Sequence, residues 1–105
     1  MTLNPNTTRV VSKPALGVAG VGIEDYETII DIKAARPGGC TGAIITVEIG
    51  GGSIRFNITG VSPKLGNGHQ AFPGSVITLE HPDEVDKFRA CLDAGTRASL
   101  LITYL

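Results

Sequence analysis

A chain of 105 residues with nine Lys and Arg against ten Asp and Glu carries a formal net charge of −1, which leaves no electrostatic footprint for a nucleic-acid partner. At 42% hydrophobic and 18% charged it is too apolar to stay disordered, and its length holds one packed core and not two. No basic start followed by an apolar stretch opens the sequence, and no run reaches the ~18 apolar residues of a membrane span, so no membrane contact is expected and synthesis on the cytosolic side is. On such a chain the NxT matches at Asn6 and Asn57 carry no glycan.

Residues 1–25 read as an extended N-terminal arm. Pro5, Pro14, Gly17, Gly20 and Gly22 interrupt it, and only Arg9 and Lys13 are charged before Glu24. Its apolar piece, ALGVAGVGI (15–23), is an aggregation liability in water, so it is expected to pack on its own domain or on a neighbouring subunit. Val10, Val11, Leu16, Val18, Val21 and Ile23 are the contact residues this implies.

Residues 26–105 are expected to form an all-β domain, a single antiparallel β-sandwich or flattened barrel. Strands are expected at 26–33, 43–49, 53–59, 75–80 and 98–105, each bounded by Pro, Gly or Asp. The clearest signal is AIITVEIGGGSIRFNITG (43–60), where Ile45, Val47 and Ile49 alternate with Thr46 and Glu48, and Ile54, Phe56 and Ile58 alternate with Arg55 and Asn57. Period two on both sides of Gly50, Gly51 and Gly52 predicts a β-hairpin with one buried face. Residues 60–74, with Pro63, Gly66, Gly68, Pro73 and Gly74, read as the longest loop. From Pro82 a short helix with Asp83 and Glu84 in its first turn is expected over about 82–87, running into a strand at 88–93.

Chemistry-bearing patterns are sparse. His69 and His81 stand apart from each other and from cysteines at ligand spacing, so no metal site and no cofactor is expected. Asp83, Glu84 and Asp86 lack the rhythm of a calcium loop and suit a solvated helix start. LGVAGVG (16–22) has the bare spacing of a phosphate cradle without a strand before it or a helix after it. Ser53 and Ser75 sit in strand contexts without a nucleophile motif, so no enzyme is expected. Cys40 and Cys91 are far apart and are either free thiols, the favoured reading, or one bridge. With 5% aromatic residues and no Trp, a stacking platform for sugars or bases is not expected.

One resemblance stands beside these readings. Ile45-Thr46-Val47-Glu48, then Ile54-Arg55-Phe56, Gly60 and Pro63, Gly68-His69, Pro73-Gly74 before a strand ending in Leu79, Phe88-Arg89, and Leu100 with Thr103-Tyr104 together resemble small β-rich virion proteins of tailed bacteriophages. The likeness covers roughly the last three-fifths of the chain and leaves the N-terminal quarter out. It implies a structural protein, foremost a capsid cement or decoration protein, assembled in the bacterial cytoplasm and located in the virion. Its partner would be the major capsid protein or another virion protein, and the chain would form a symmetric homo-oligomer such as a trimer. Arg55 and Arg89, each following an apolar residue, are expected to point away from the core. There they pair with Glu48 or Glu80 across strands, or with acidic groups on a partner. The alternative is a carbohydrate- or receptor-binding β-module with its site on the 60–74 loop.

Overall fold

The computed structural model describes residues 15–64 and 67–105. Among them are strands β1 (Gly17–Ile23), β2 (Ile30–Asp31), β3 (Ala43–Val47), β4 (Ser53–Asn57), β5 (His69–Ala71), β6 (Val76–Leu79), β7 (Arg89–Ala94) and β8 (Ala98–Tyr104), with one helix, α1 (Pro82–Lys87). They form two antiparallel sheets of four strands each, in the orders β1-β8-β3-β6 and β2-β7-β4-β5. The chain is mostly β, as its period-two runs imply.

Side-chain parity explains how both sheets serve one core. Along β8, Ala98, Leu100, Ile102 and Tyr104 are buried while Ser99, Leu101 and Thr103 face outward. Ile45 and Val47 from β3 join them, and Ile54, Ala90 and Leu92 arrive from the other sheet to complete a single apolar cluster. Each fully buried Leu or Ile contributes about 1.5–3 kcal/mol relative to exposure. The Tyr104 hydroxyl keeps a partner at this depth by donating to the Ile32 carbonyl at 2.9 Å.

The expected hairpin at 43–59 is corrected. Its two strands exist, but β3 pairs with β6 and β8 while β4 pairs with β5 and β7, so the glycine run carries the chain from one sheet to the other. The reason is local. Gly52 passes so close to the turn between β7 and β8 that a Cβ there would collide with the Ala94 carbonyl, and its N–H donates to the Arg97 carbonyl at 2.6 Å. Gly50, at φ 100°, supplies the left-handed step that turns the chain into this crossing.

Other segments differ from expectation in extent. The strand expected over 26–33 is confined to Ile30–Asp31, because the Asp25 carboxylate accepts the Glu27 N–H at 2.8 Å and folds 25–28 into a turn. The 60–74 loop contains β5, paired with β4 and steadied by His69 lying 5.5 Å from the Phe56 ring. The apolar piece of the expected arm is β1, an outer strand paired along its length with β8. α1 begins and ends as expected, with the Glu84 carboxylate accepting the N–H groups of Glu80 (2.8 Å) and His81 (3.2 Å).

Candidate interaction surface

The two sheets present opposite chemistry to solvent. On the β2-β7-β4-β5 sheet the outward positions include Arg55, Asp93 and Gln70, and they bond to one another. Arg55 Nε donates to Asp93 Oδ1 at 2.8 Å, its other nitrogen to the Gly68 carbonyl at 3.1 Å, and Gln70 Nε2 to the second Asp93 oxygen at 3.0 Å. The pair is largely shielded, with side chains 14% and 9% exposed. A register shift in β7 opposite Ser53 and Ile54 aims Asp93 at this cluster. The partner expected for Arg55, Glu48 or Glu80, is therefore corrected to Asp93, a residue brought alongside by β4–β7 pairing that chain distance gives no hint of.

Arg89 takes a different role. Its guanidinium donates to the carbonyls of Asp86 and Phe88, each at 2.8 Å, and so closes the end of α1. Next to Arg55, Cys91 is buried and its thiol lies 3.5 Å from the Pro63 carbonyl. Burial, reinforced by the Asp93 charge and opposed by Arg55, pushes the Cys91 thiol pKa up. A thiol held neutral is a poor nucleophile. Cys40 is also buried, and the two are free thiols, in line with the favoured reading. A recess of about 290 Å³ beside Tyr26, Arg55 and Asp93 is lined by groups already engaged with each other or with backbone, since Tyr26 donates to the Gly95 carbonyl at 2.5 Å.

The β1-β8-β3-β6 sheet is the reverse. None of its four strands contains a charged residue. Its outward side chains are Val18 from β1, Ser99, Leu101 and Thr103 from β8, Ile44 and Thr46 from β3, and Val76 and Thr78 from β6. Val18, Val76 and Leu101 are 62%, 59% and 41% exposed. Large apolar residues scattered singly on a surface need no explanation, but here they share one uninterrupted face. Charge returns at its ends, with Glu80 just past β6, with Glu48 just past β3, and with Arg97, whose guanidinium lies over Gly22 and 3.6 Å from Glu24.

Of the contact residues expected from the arm, Leu16 and Val18 are exposed at this face and its border. Val21 packs against the core and Ile23 is buried within it, so both hold the chain's own sheets together. Val10 and Val11 lie outside the described residues. Val76 and Leu101 are the contributors that sequence reasoning missed. Their outward parity was readable from ASLLITYL and SVITLE, but not that these segments share a sheet.

His69 begins β5 and His81 caps the start of α1, and among the described residues no three His, Cys, Asp or Glu side chains gather as a metal site. No helix among the described residues is long and apolar enough to cross a membrane. No family model, no curated protein and no solved structure matches the chain.

Proposed function

We propose that the protein is a non-catalytic structural component of a tailed-phage particle, a β-sandwich that acts as a cement or decoration protein on the capsid. The observation that supports this reading is the charge-free, partly aliphatic face of the β1-β8-β3-β6 sheet. A protein partner can dry such a surface without stranding an ion, and a nucleic acid finds no positive charge on its strands. Adhesion of many copies stabilises a shell by mass action, since whatever binds only the assembled state raises the cost of leaving it. The opposite sheet, with its engaged Arg55–Asp93 pair, serves the fold.

The test is immunogold electron microscopy of purified particles from an infected culture, with antibody raised against this chain. Regular labelling of the heads is expected. Particles that carry no label, with the chain recovered only from the soluble lysate, would end the virion reading.

A further inference from the structure

The outward residues of the charge-free sheet are ordered in rows across the strands, and the rows have a pattern that the fold does not explain. One row reads Gly20, Leu101, Thr46, Val76 across β1, β8, β3 and β6. The neighbouring row reads Val18, Thr103, Ile44, Thr78. In both, a small side chain or a threonine alternates with a larger aliphatic one.

Gly20 is the informative member. It stands at the middle of β1 without a positive φ, and a Cβ placed on it would meet nothing within 4 Å. Neither backbone conformation nor a neighbour within the chain requires glycine there. Glycine in a strand interior weakens the strand and often marks a place where another chain comes close. It leaves a notch in the surface beside Leu101.

We infer that a second copy of this chain covers the outer side of the β1-β8-β3-β6 sheet, packed face to face about a two-fold axis running along the strands between β8 and β3. That operation reverses each row against itself. Gly20 then receives Val76 of the second copy and Leu101 lies over Thr46. In the adjoining row Val18 lies over Thr78 and Ile44 over Thr103. Every contact joins a larger side chain to a smaller one, which is how facing layers interdigitate. Strands without charge also meet their own copy with no like-charge contact near the axis and no ion to strand, and these strands have none. At the rim the same operation sets Arg97, lying over Gly22 on β1, beside Glu48 of the second copy, because Glu48 follows Thr46 outward just past β3, at the level of Ser99.

Strands of 7, 7, 5 and 4 residues, at about 3.3 Å per residue and about 4.8 Å apart, give each copy a flat footprint of roughly 360 Å². The pair covers about 700 Å², at the low end of interface sizes, where association is weak and reversible. The dimer is therefore concentration-dependent. This inference names the partner of the face on which the proposed function rests.

The test is sedimentation velocity on the full chain over about a hundredfold range of concentration, with Gly20→Lys, Val76→Glu and the double variant. Within one copy these positions lie three strands apart, about 14 Å, too far to pair with each other, whereas across the two-fold each faces the other. The native chain is expected to shift from monomer to dimer. Each single variant stays monomeric with an unchanged circular dichroism spectrum, and the double variant regains the dimer. Gly20→Leu, which fills the notch, is a second monomeric variant should Gly20→Lys fail to fold. A native chain that is monomeric throughout, single variants that still dimerise, or a double variant that stays monomeric would each overturn the inference. Particle labelling reads the virion reading separately: labelled heads with a monomeric chain defeat the dimer alone, and a dimer absent from particles defeats the virion role alone.

Discussion

Replacing Asp93 with Ala probes the shielded Arg55–Asp93 ion pair of the charged face. The carboxylate accepts from Arg55 Nε at 2.8 Å and Gln70 Nε2 at 3.0 Å, with Ser53 Oγ 3.4 Å away. Without it the Arg55 guanidinium, 14% exposed, keeps only the Gly68 carbonyl. Breaking a fully buried pair from one side costs about 3–5 kcal/mol, and the residual exposure lowers that to about 2–4 kcal/mol here. For a domain of this size, with a total stability on the order of 10 kcal/mol and a urea dependence of about 1–3 kcal/mol per molar, the midpoint should fall by about 1–2 M. Urea titration followed by circular dichroism reads this directly. Arg55→Met should cost a similar amount, because it strands the carboxylate instead. The double variant Arg55→Met/Asp93→Leu removes both charges and should lie within about 1.5 kcal/mol of the native chain, the remainder being the acceptor lost to Gln70 and Ser53. The coupling between the two sites then exceeds about 2 kcal/mol. Single variants that cost under about 0.5 kcal/mol and add without coupling would show that water, and not the partner, solvates these charges.

Three further outcomes follow from other parts of the molecule. Tyr104→Phe removes the donor to the Ile32 carbonyl and should lower stability by about 1–2 kcal/mol in the same titration, and no measurable change would mean the carbonyl finds water. Gly52→Ala should cost at least about 2 kcal/mol, since its Cβ meets the Ala94 carbonyl, whereas Gly20→Ala should be neutral or stabilising by about 0.5 kcal/mol in the monomer; thermal melts that rank the two in the opposite order would contradict both assignments. Burial raises the pKa of the Cys91 thiol and of the Tyr104 phenol, so each ionises at lower pH in the unfolded chain than in the native one. Their contribution is complete below the unfolded thiol value of about 8.5 and is lost as pH rises through the native values, so stability should decline above about pH 9. Denaturation midpoints from pH 7 to 10.5 that stay level would refute this, as would rapid labelling of both cysteines by a thiol reagent in the native state.

The crossing at Gly50–Gly52 shows where reading along the chain stops. Ile45, Val47, Ile54 and Phe56 have the alternation of a hairpin, and three glycines between them suit a reversal. A crossover between two sheets asks for the same things: two amphipathic strands and a hinge free of side chains. What separates them is the neighbour of the hinge, the β7–β8 turn at Gly95–Arg97, more than forty residues downstream. The Arg55 partner has the same origin. Glu48 and Glu80 are as plausible as Asp93 until β4 is laid beside β7 and a register shift turns Asp93 toward it.

Local chemistry determined what local chemistry can. The alternation along ASLLITYL fixes which of its residues face the core, and Pro82 with Asp83 and Glu84 starts α1 where the backbone N–H groups need acceptors. The cysteines, distant in the chain, are buried free thiols, Cys91 on β7 and Cys40 between β2 and β3. Each of these depends on residues within a turn or a strand of one another, or on composition alone. The surface on which the functional proposal rests depends on adjacency across the whole chain. GVAGVGI, AIITV, VITL and ASLLITY are each unremarkable as charge-free strands, and only hydrogen bonding in the order β1-β8-β3-β6 makes them one face. Strand order is a property of closing long loops around a shared core, and no short stretch of sequence contains it.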